Sequence, residues 1–387
     1  LKPYFKRPEL VNIVNHLETE TTTSSELEED FPYMLSDPNV FDFQEVIEIN
    51  NLRERLSDDQ IGQLENLLVK YYRIFSNIPG KTNLVEHDIE LICDKSIKHK
   101  PYRMTNRQND VLKAEIGKML KYNIIEPGAS EFTSPMILVE TPGREPRPCI
   151  DYRKLNEITR TQFYPIPNIE QRVETVAKAR YITLIDLTKG YWQIPLSKRA
   201  QGIATFATSS GVYRPLRMPF GLKNVPFYFS KMMNEILEGC DEYAIPYLDD
   251  IAIFSQTWDE HLKHLQDALE RIKRAKLTIK PPKCKFAQDE VQYLGHKVGH
   301  GKRSPAELKV KAVQNFPIPT TKTEIRAFLG LAGYYRQYIP MFSVITAPLT
   351  DLLKGRNKKG KVEWNEECTK ATELLKDKLT SKPILHA

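Results

Sequence analysis

Ala244-Ile245-Pro246-Tyr247-Leu248-Asp249-Asp250-Ile251-Ala252-Ile253-Phe254-Ser255 is an apolar run, two adjacent carboxylates and a second apolar run. Both arms carry β-branched and aromatic residues with little polarity, which predicts two strands joined as a hairpin with Asp249 and Asp250 at its turn. A turn that needs only geometry usually takes Asn-Gly or Asp-Gly, whose residues tolerate positive φ. Asp-Asp offers no such advantage, and two crowded acids repel each other unless they share a cation. The pair is therefore either a solvated turn or half of a divalent-metal site. A third acid bears on that choice. Tyr181-Ile182-Thr183-Leu184-Ile185-Asp186-Leu187 is another short apolar segment with one carboxylate near its end, followed by Thr188-Lys189-Gly190-Tyr191-Trp192. Hard cations such as Mg²⁺ take oxygen ligands and leave positions for substrate phosphates, so three acids at the ends of neighbouring strands suit them.

The 387 residues are enough for two or three domains with a substantial core. No apolar run reaches the roughly eighteen residues of a membrane helix, and no secretory signal opens the chain, so a membrane partner is not expected and an intracellular setting is. Leu1 in place of Met leads us to expect a processed product or a piece of a longer polypeptide. Five scattered cysteines, an odd number, argue against a disulfide framework and for a reducing compartment. Cys284 with His296 and His300 lacks the second cysteine of a zinc pattern, and His261 and His264 in a charge-rich stretch read as a solvated helix face.

Charge is unevenly spread. Residues 8–52 hold eleven Asp or Glu and no Lys or Arg, whereas residues 53–387 hold 53 basic against 39 acidic side chains. That balance suits a polyanion. Residues 17–31 are polar, acidic and low in complexity, so 1–51 is expected to be an acidic, flexible N-terminal linker. Residues 52–83 form a helical lead-in, with Ser57 as its N-cap and Ile61, Leu64, Leu67, Leu68, Tyr71 and Tyr72 at helical spacing. Asn109 to Tyr122 reads as a helix. A strand over Met136 to Glu140 turns at Thr141-Pro142-Gly143-Arg144 into a second over Arg147 to Tyr152. Trp258 to Lys276 is a long helix. Ser304-Pro305-Ala306-Glu307 and Thr321-Lys322-Thr323-Glu324 are predicted capping boxes that open two shorter ones.

Several ordered blocks then resemble a known family. They are Arg147-Pro148-Cys149-Ile150-Asp151-Tyr152-Arg153, Tyr164-Pro165-Ile166-Pro167, Leu184 to Pro195, Arg217-Met218-Pro219-Phe220-Gly221-Leu222-Lys223-Asn224, and Tyr247-Leu248-Asp249-Asp250. Tyr293-Leu294-Gly295-His296 and Phe328 to Arg336 continue the series. Together they resemble the reverse transcriptase region of gypsy-class LTR retrotransposon Pol polyproteins over roughly 52 to 387. The resemblance implies an α+β right-hand polymerase with an antiparallel palm sheet. Fingers and palm would fall within 84–300, a thumb in 301–350, and the start of a tether toward an RNase H domain in 351–387. It implies RNA- and DNA-directed DNA polymerase activity on a primer and an RNA or DNA template, with dNTPs and two Mg²⁺ ions, for which Mn²⁺ could substitute. The alternative is a catalytically inactive or domesticated polymerase-like protein that binds nucleic acid.

By the same resemblance, Asp186, Asp249 and Asp250 are the catalytic, metal-binding carboxylates. Arg147, Tyr191, Phe220 and Leu187 would bind the nucleotide, with Arg147 clamping the triphosphate and the Tyr191 ring excluding a 2′-hydroxyl. Tyr293, Leu294, Gly295 and His296 would form the primer grip, and Tyr247, Lys322, Arg326 and Arg336 would contact nucleic acid. Protease, RNase H and integrase domains of a parent polyprotein are the implied partners, and a cytoplasmic virus-like particle the implied location. Two departures stand out. Thr141-Pro142-Gly143-Arg144 lacks the lysines usual before the Arg147 strand, and Val225-Pro226-Phe227-Tyr228-Phe229-Ser230 is bulkier than the family's Ala-Pro-Ala-Thr-Phe-Gln.

Overall fold

A computed structural model describes residues 41–93, 95–140, 146–165, 168–247, 250–355, 360–381 and 385–386. The acidic stretch expected to be a linker is described from residue 41 onward, and there it is folded. Phe43–Asn50 is a helix capped by Asp42, whose carboxylate accepts from the Gln44 N–H at 2.8 Å. Phe43, Val46, Ile47 and Asn50 are buried. The chain divides into two compact units, the larger containing residues 41–166 and 183–288, the smaller 167–182 and 289–387.

Among the described residues the larger unit carries nine strands in two sheets. They are β1 (Ile125–Pro127), β2 (Ser134–Val139), β3 (Arg147–Ile150), β4 (Tyr181–Asp186), β5 (Phe206–Thr208), β6 (Gly211–Pro215), β7 (Ala244–Tyr247), β8 (Asp250–Ser255) and β9 (Lys285–Gln288). One sheet has the order β1-β6-β5-β2-β3, the other β7-β8-β4-β9. The expectation of a purely antiparallel sheet is corrected to a mixed arrangement, the parallel pair lying in the five-stranded sheet and not in the one that carries Asp186 and Asp250. β2 runs parallel to β5, whereas β1–β6, β5–β6, β2–β3 and β7–β8 are antiparallel. The reason lies in connectivity: more than sixty residues separate β2 from β5, long enough for the crossover that parallel neighbours require.

Helices of this unit follow the sequence pattern closely. Asp58–Lys70 starts at Ser57, which forms a full capping box with Gln60. Asn106–Lys121 starts three residues ahead of the expected place because Thr105 and Gln108 make another such box. Trp258–Arg274 packs on β8 through Leu265, Ala268, Leu269 and Ile272, all fully buried. Each such leucine or isoleucine contributes about 1.5–3 kcal/mol relative to exposure, which fixes the helix's orientation on the sheet. His261 on the same helix is not on a solvated face. It is fully buried, with Nε2 2.8 Å from Thr183 Oγ1 and Nδ1 3.2 Å from Ser255 Oγ. At the outer strand β9, Asn50 Oδ1 accepts from Phe286 N–H at 2.9 Å and Arg55 donates to Ala287 O at 3.0 Å.

In the smaller unit β10 (Glu290–Tyr293), β11 (His296–Gly299), β12 (Lys302–Pro305) and β13 (Leu385–His386) form an antiparallel sheet in that order. Helix Ile169–Ala177 packs on β11 and β12. The expected capping box at Ser304 gives way to strand pairing, Lys297 opposite Ser304 and His296 opposite Pro305. Helix Glu307–Gln314 therefore begins after Ala306, with no side-chain cap. Thr321 does cap Lys322–Gly333, but Glu324 turns to the Thr320 N–H at 2.7 Å instead of closing a box on Thr321. Val313, Phe316, Ile325, Phe328, Leu331 and Tyr335 form a helical core, joined by Cys368, Leu375 and Leu379 of helix Glu366–Thr380.

Candidate active site

Asp186 ends β4 and Asp250 opens β8, and these two strands are neighbours. Asp250 thus belongs to a strand, paired with Tyr247 across the hairpin. Leu248 and Asp249, between them in sequence, lie outside the described residues. A third group enters from the short 3₁₀ turn Pro281–Lys283: the Lys283 ammonium sits 3.7 Å from the Asp186 carboxylate, the two side chains being 20% and 17% exposed. Behind it, the Lys280 N–H donates to Asp186 O at 3.0 Å, fixing the end of β4 against this turn.

Burial pushes the Asp186 carboxyl up to about 7; Lys283 opposes the shift and the charge of Asp250 adds to it. Burial also pushes Asp250 up to about 6, again against Lys283. Two carboxyls largely withdrawn from water stay above the ordinary carboxylate range even with the Lys283 and Lys280 charges nearby, so the pair is short of positive charge. A divalent cation that prefers oxygen ligands is the chemistry this donor set fits.

Tyr191 follows Asp186 on the 3₁₀ segment Gly190–Gln193. Its ring is buried, 5.0 Å from Phe220 and 5.2 Å from Phe229. The segment is held from both sides. The buried Gln193 amide donates to Thr188 O and Thr278 O, each at 2.9 Å, and accepts from Thr278 N–H at 2.7 Å. Arg217, also buried, donates to Gly80 O at 2.6 Å and Trp192 O at 3.1 Å; burial lowers its guanidinium to about 10. Lys189 lies 3.9 Å above the Trp192 ring and 3.6 Å from Glu115. Backbone approach is tight here: a Cβ on Gly80 would stand 2.3 Å from Lys276 O.

Leu187 is buried and bridges to Ile279, so its side chain belongs to the core beside the site. Arg147 opens β3 opposite Val139, at the mouth of a turn whose residues 141–145 lie outside the described set. Phe227 and Tyr228, in the bulkier segment, belong to helix Val225–Ile236; Phe227 packs edge-on against Tyr164 at 5.9 Å, and Tyr228 lies 4.3 Å from the His87 ring.

The expected primer-grip residues belong to the smaller unit. Tyr293 and His296 pair across the β10–β11 turn, whose two central residues, Leu294 and Gly295, have φ of 46° and 75°. Lys322, Arg326 and Arg336 lie there too, each with a partner inside the protein: Lys354 O, Lys322 O and, at 3.9 Å, the Glu170 carboxylate. Sequence reasoning missed Lys283, Gln193 and Arg217. For Lys283 a signal existed, since Lys280-Pro281-Pro282-Lys283 is a stiff turn carrying two cations.

A family model described as reverse transcriptase (RNA-dependent DNA polymerase) matches residues 139–298. The chain is 37% identical over 86% of its length to the Pol polyprotein of Drosophila melanogaster transposon 297, and 34% over 84% to that of transposon gypsy. It is 30% identical over 88% to the Tf2-3 polyprotein of Schizosaccharomyces pombe. It spans about a third or less of these relatives, 32%, 33% and 26% of their lengths. Its fold is that of foamy viral protease-reverse transcriptase. A dsDNA complex superposes with TM-score 0.80 at 24% identity, covering 91% of this chain and 63% of the other. A complex with RNA/DNA hybrid gives TM-score 0.76 at 23% identity, covering 95% and 48%. The chain is a reverse transcriptase domain of the RNA-dependent DNA polymerase family, related to the Pol polyproteins of gypsy- and Tf2-type LTR retrotransposons.

Proposed function

We propose that the chain extends a primer with dNTPs on an RNA or DNA template, by nucleotidyl transfer at Asp186, Asp249 and Asp250. The observation that carries this reading is the juxtaposition of Asp186 and Asp250 on neighbouring strands, both carboxyls raised by burial against the opposing charge of Lys283, which pairs with Asp186. These three acids would hold Mg²⁺ or Mn²⁺. A divalent ion bound there supplies positive charge where negative charge builds on the α-phosphate as the primer 3′-hydroxyl attacks.

The chain's own residues do the remaining work. Lys283 keeps the carboxylates from repelling each other apart before substrate arrives. Tyr191, held by a tilted contact with Phe220 and an edge-on contact with Phe229, presents a ring with little room to move aside for a 2′-hydroxyl. Arg147 offers a planar fork of donors to the triphosphate, the geometry that suits phosphate oxygens. Leu187 and Phe220 shape the nucleotide pocket by packing. Tyr293 to His296 would hold the primer end, and Tyr247, Lys322, Arg326 and Arg336 the duplex. The related foamy viral enzymes were solved with dsDNA and with RNA/DNA hybrid, which supports a duplex as the partner of this chain. Protease, RNase H and integrase segments of a parent polyprotein would supply the other steps toward DNA integration.

Primer extension on a homopolymeric RNA template is the test, comparing the chain with Asp249→Asn. Metal- and dNTP-dependent synthesis that falls by roughly a thousandfold or more in the variant, the scale of lost charge stabilisation at a reacting centre, is expected. Absence of synthesis by the unaltered chain, with salt-sensitive duplex binding retained, would instead identify a nucleic-acid-binding protein without polymerase activity.

A further inference from the structure

The turn Leu294-Gly295 is a two-residue hairpin loop with positive φ at both positions, the geometry that matches the twist of its strands. In such a turn the carbonyls project away from the ladder and ordinarily meet water. Here both are taken by protein. Tyr334 donates its hydroxyl to Leu294 O at 2.5 Å, and Tyr335 donates to Gly295 O, which also accepts from the Ala306 N–H at 3.1 Å. The two phenols stand at the C-cap of helix Lys322–Gly333 and one residue beyond it, forty residues from the carbonyls they bond.

Ring packing reinforces these bonds. His296 lies between Tyr334, stacked at 5.5 Å, and Tyr335, edge-on at 5.4 Å, and its Nδ1 is 2.9 Å from the Tyr338 hydroxyl. Lys309 covers the outer face of Tyr334 at 4.8 Å from its centroid. A Cβ on Gly295 would come within 3.3 Å of the Tyr334 ring, so the glycine admits this close approach as well as the positive φ. Tyr335 is fully buried although it carries a hydroxyl, which is stable there only because Gly295 O accepts it.

We infer that Tyr334 and Tyr335 are positioning residues for the primer terminus: their hydroxyls fix the Leu294-Gly295 turn to the end of helix Lys322–Gly333, so the primer-holding turn cannot tilt independently of that helix. The inference rests on the reading of Tyr293 to His296 as a primer grip. It extends that reading by naming what aims the turn.

The double substitution Tyr334→Phe with Tyr335→Phe keeps every ring contact and removes both donors. Three readouts apply: hydrogen exchange of the 293–296 amides, primer–template affinity by fluorescence anisotropy, and single-nucleotide extension. Expected are faster exchange confined to the turn, roughly tenfold weaker primer–template binding and a lower kcat, with the KM for dNTP unchanged. Tyr338→Phe removes a bond to His296 in the same cluster but leaves both turn carbonyls with their donors, so exchange at 294 and 295 is expected to stay as in the unaltered chain and primer–template binding to change less than in the double variant. Exchange and primer binding left unchanged in the double variant would overturn the inference. So would an equal effect from Tyr338→Phe, since that would mark a general loss of packing. Failure of the unaltered chain to extend a primer speaks only against the polymerase reading; exchange and anisotropy still decide the role of the two tyrosines.

Discussion

Tyr191 has an observed structural task and, in the proposed function, a selective one. Its ring is buried between Phe220 and Phe229, and the proposed site places the incoming sugar against it. Tyr191→Ala is therefore expected to raise ribonucleotide use relative to deoxyribonucleotide use by roughly tenfold or more, equivalent to losing about 1.4 kcal/mol of steric discrimination. The same change removes a packed aromatic and lowers stability by about 3 kcal/mol. Competitive incorporation assays and denaturant melts on one preparation check both. Asp186 and Asp250 could be found from sequence because short-range spacing marks them, an acid closing an apolar strand and an acid pair between two such strands; Tyr191 was singled out only by the family resemblance, since by its residues alone it reads as a core tyrosine beside Trp192. Lys283, Gln193 and Arg217 carry no such mark. Gln193 acquires its role from Thr278, 85 positions away, and Arg217 from Gly80, 137 positions away. His261 was misplaced for the same reason: its helix presents charge on most faces, and only the packing against β8 reveals which face is buried.

At the scale of elements, helices were legible where a cap and an apolar stripe agreed, as at Ser57, whereas the cap at Thr105 went unread and its helix was begun three residues late. They were misread where tertiary pairing competed, as at Ser304, whose backbone joins a ladder with β11 instead of opening a helix. The parallel β2–β5 pair could not be read locally at all, because nothing in either short strand reports its distant neighbour. The crossing of residues 76–82 with 276–280 is another such long-range contact, and it can be tested. Ser76 N–H bonds Ile279 O at 3.0 Å, Lys81 N–H bonds Lys276 O at 3.1 Å, and Gly80 leaves no room for a side chain between them. Gly80→Ala must push backbone against backbone, and a loss of about 3 kcal/mol or more is expected. Gly62, inside helix Asp58–Lys70 with open space around it, serves as the opposite case. Gly62→Ala is expected to gain about 0.5–1 kcal/mol from helix propensity. Urea melts of the two variants beside the parent should move in opposite directions.

For the whole molecule, two buried titrating groups pull the pH dependence of stability in opposite senses. Burial holds His261 down to about 3, below its value in the unfolded chain, so the unfolded state binds the extra proton first. Its contribution is complete above roughly pH 6.5 and is lost as pH falls, amounting to about 2 kcal/mol at pH 5. Asp186 is raised to about 7, so the folded state keeps its proton longer, and stability is lost as pH rises from the ordinary carboxylate range toward 7. Without divalent metal, the plot of melting temperature against pH between 5 and 7.5 should therefore shift in opposite ways in two variants. His261→Gln removes the term that rises with pH and tilts the plot downward; Asp186→Asn removes the term that falls and tilts it upward. Equal slopes in the two variants would show that neither group titrates as its burial requires. Among the described residues no helix is long and apolar enough to cross a membrane.

The helix Phe43–Asn50 looks dispensable in a list of motifs, since every recognisable polymerase block lies beyond it. Yet Asn50 and Arg55 occupy hydrogen-bonding groups along β9, the last strand of the sheet that carries Asp186 and Asp250. A chain trimmed to begin at residue 52 would keep all of those blocks and leave the Phe286 N–H without its acceptor. Bare strand margins recruit other strands. A chain begun at residue 52 is therefore expected to self-associate more readily than one begun at residue 41, a difference that size-exclusion chromatography of the two would show.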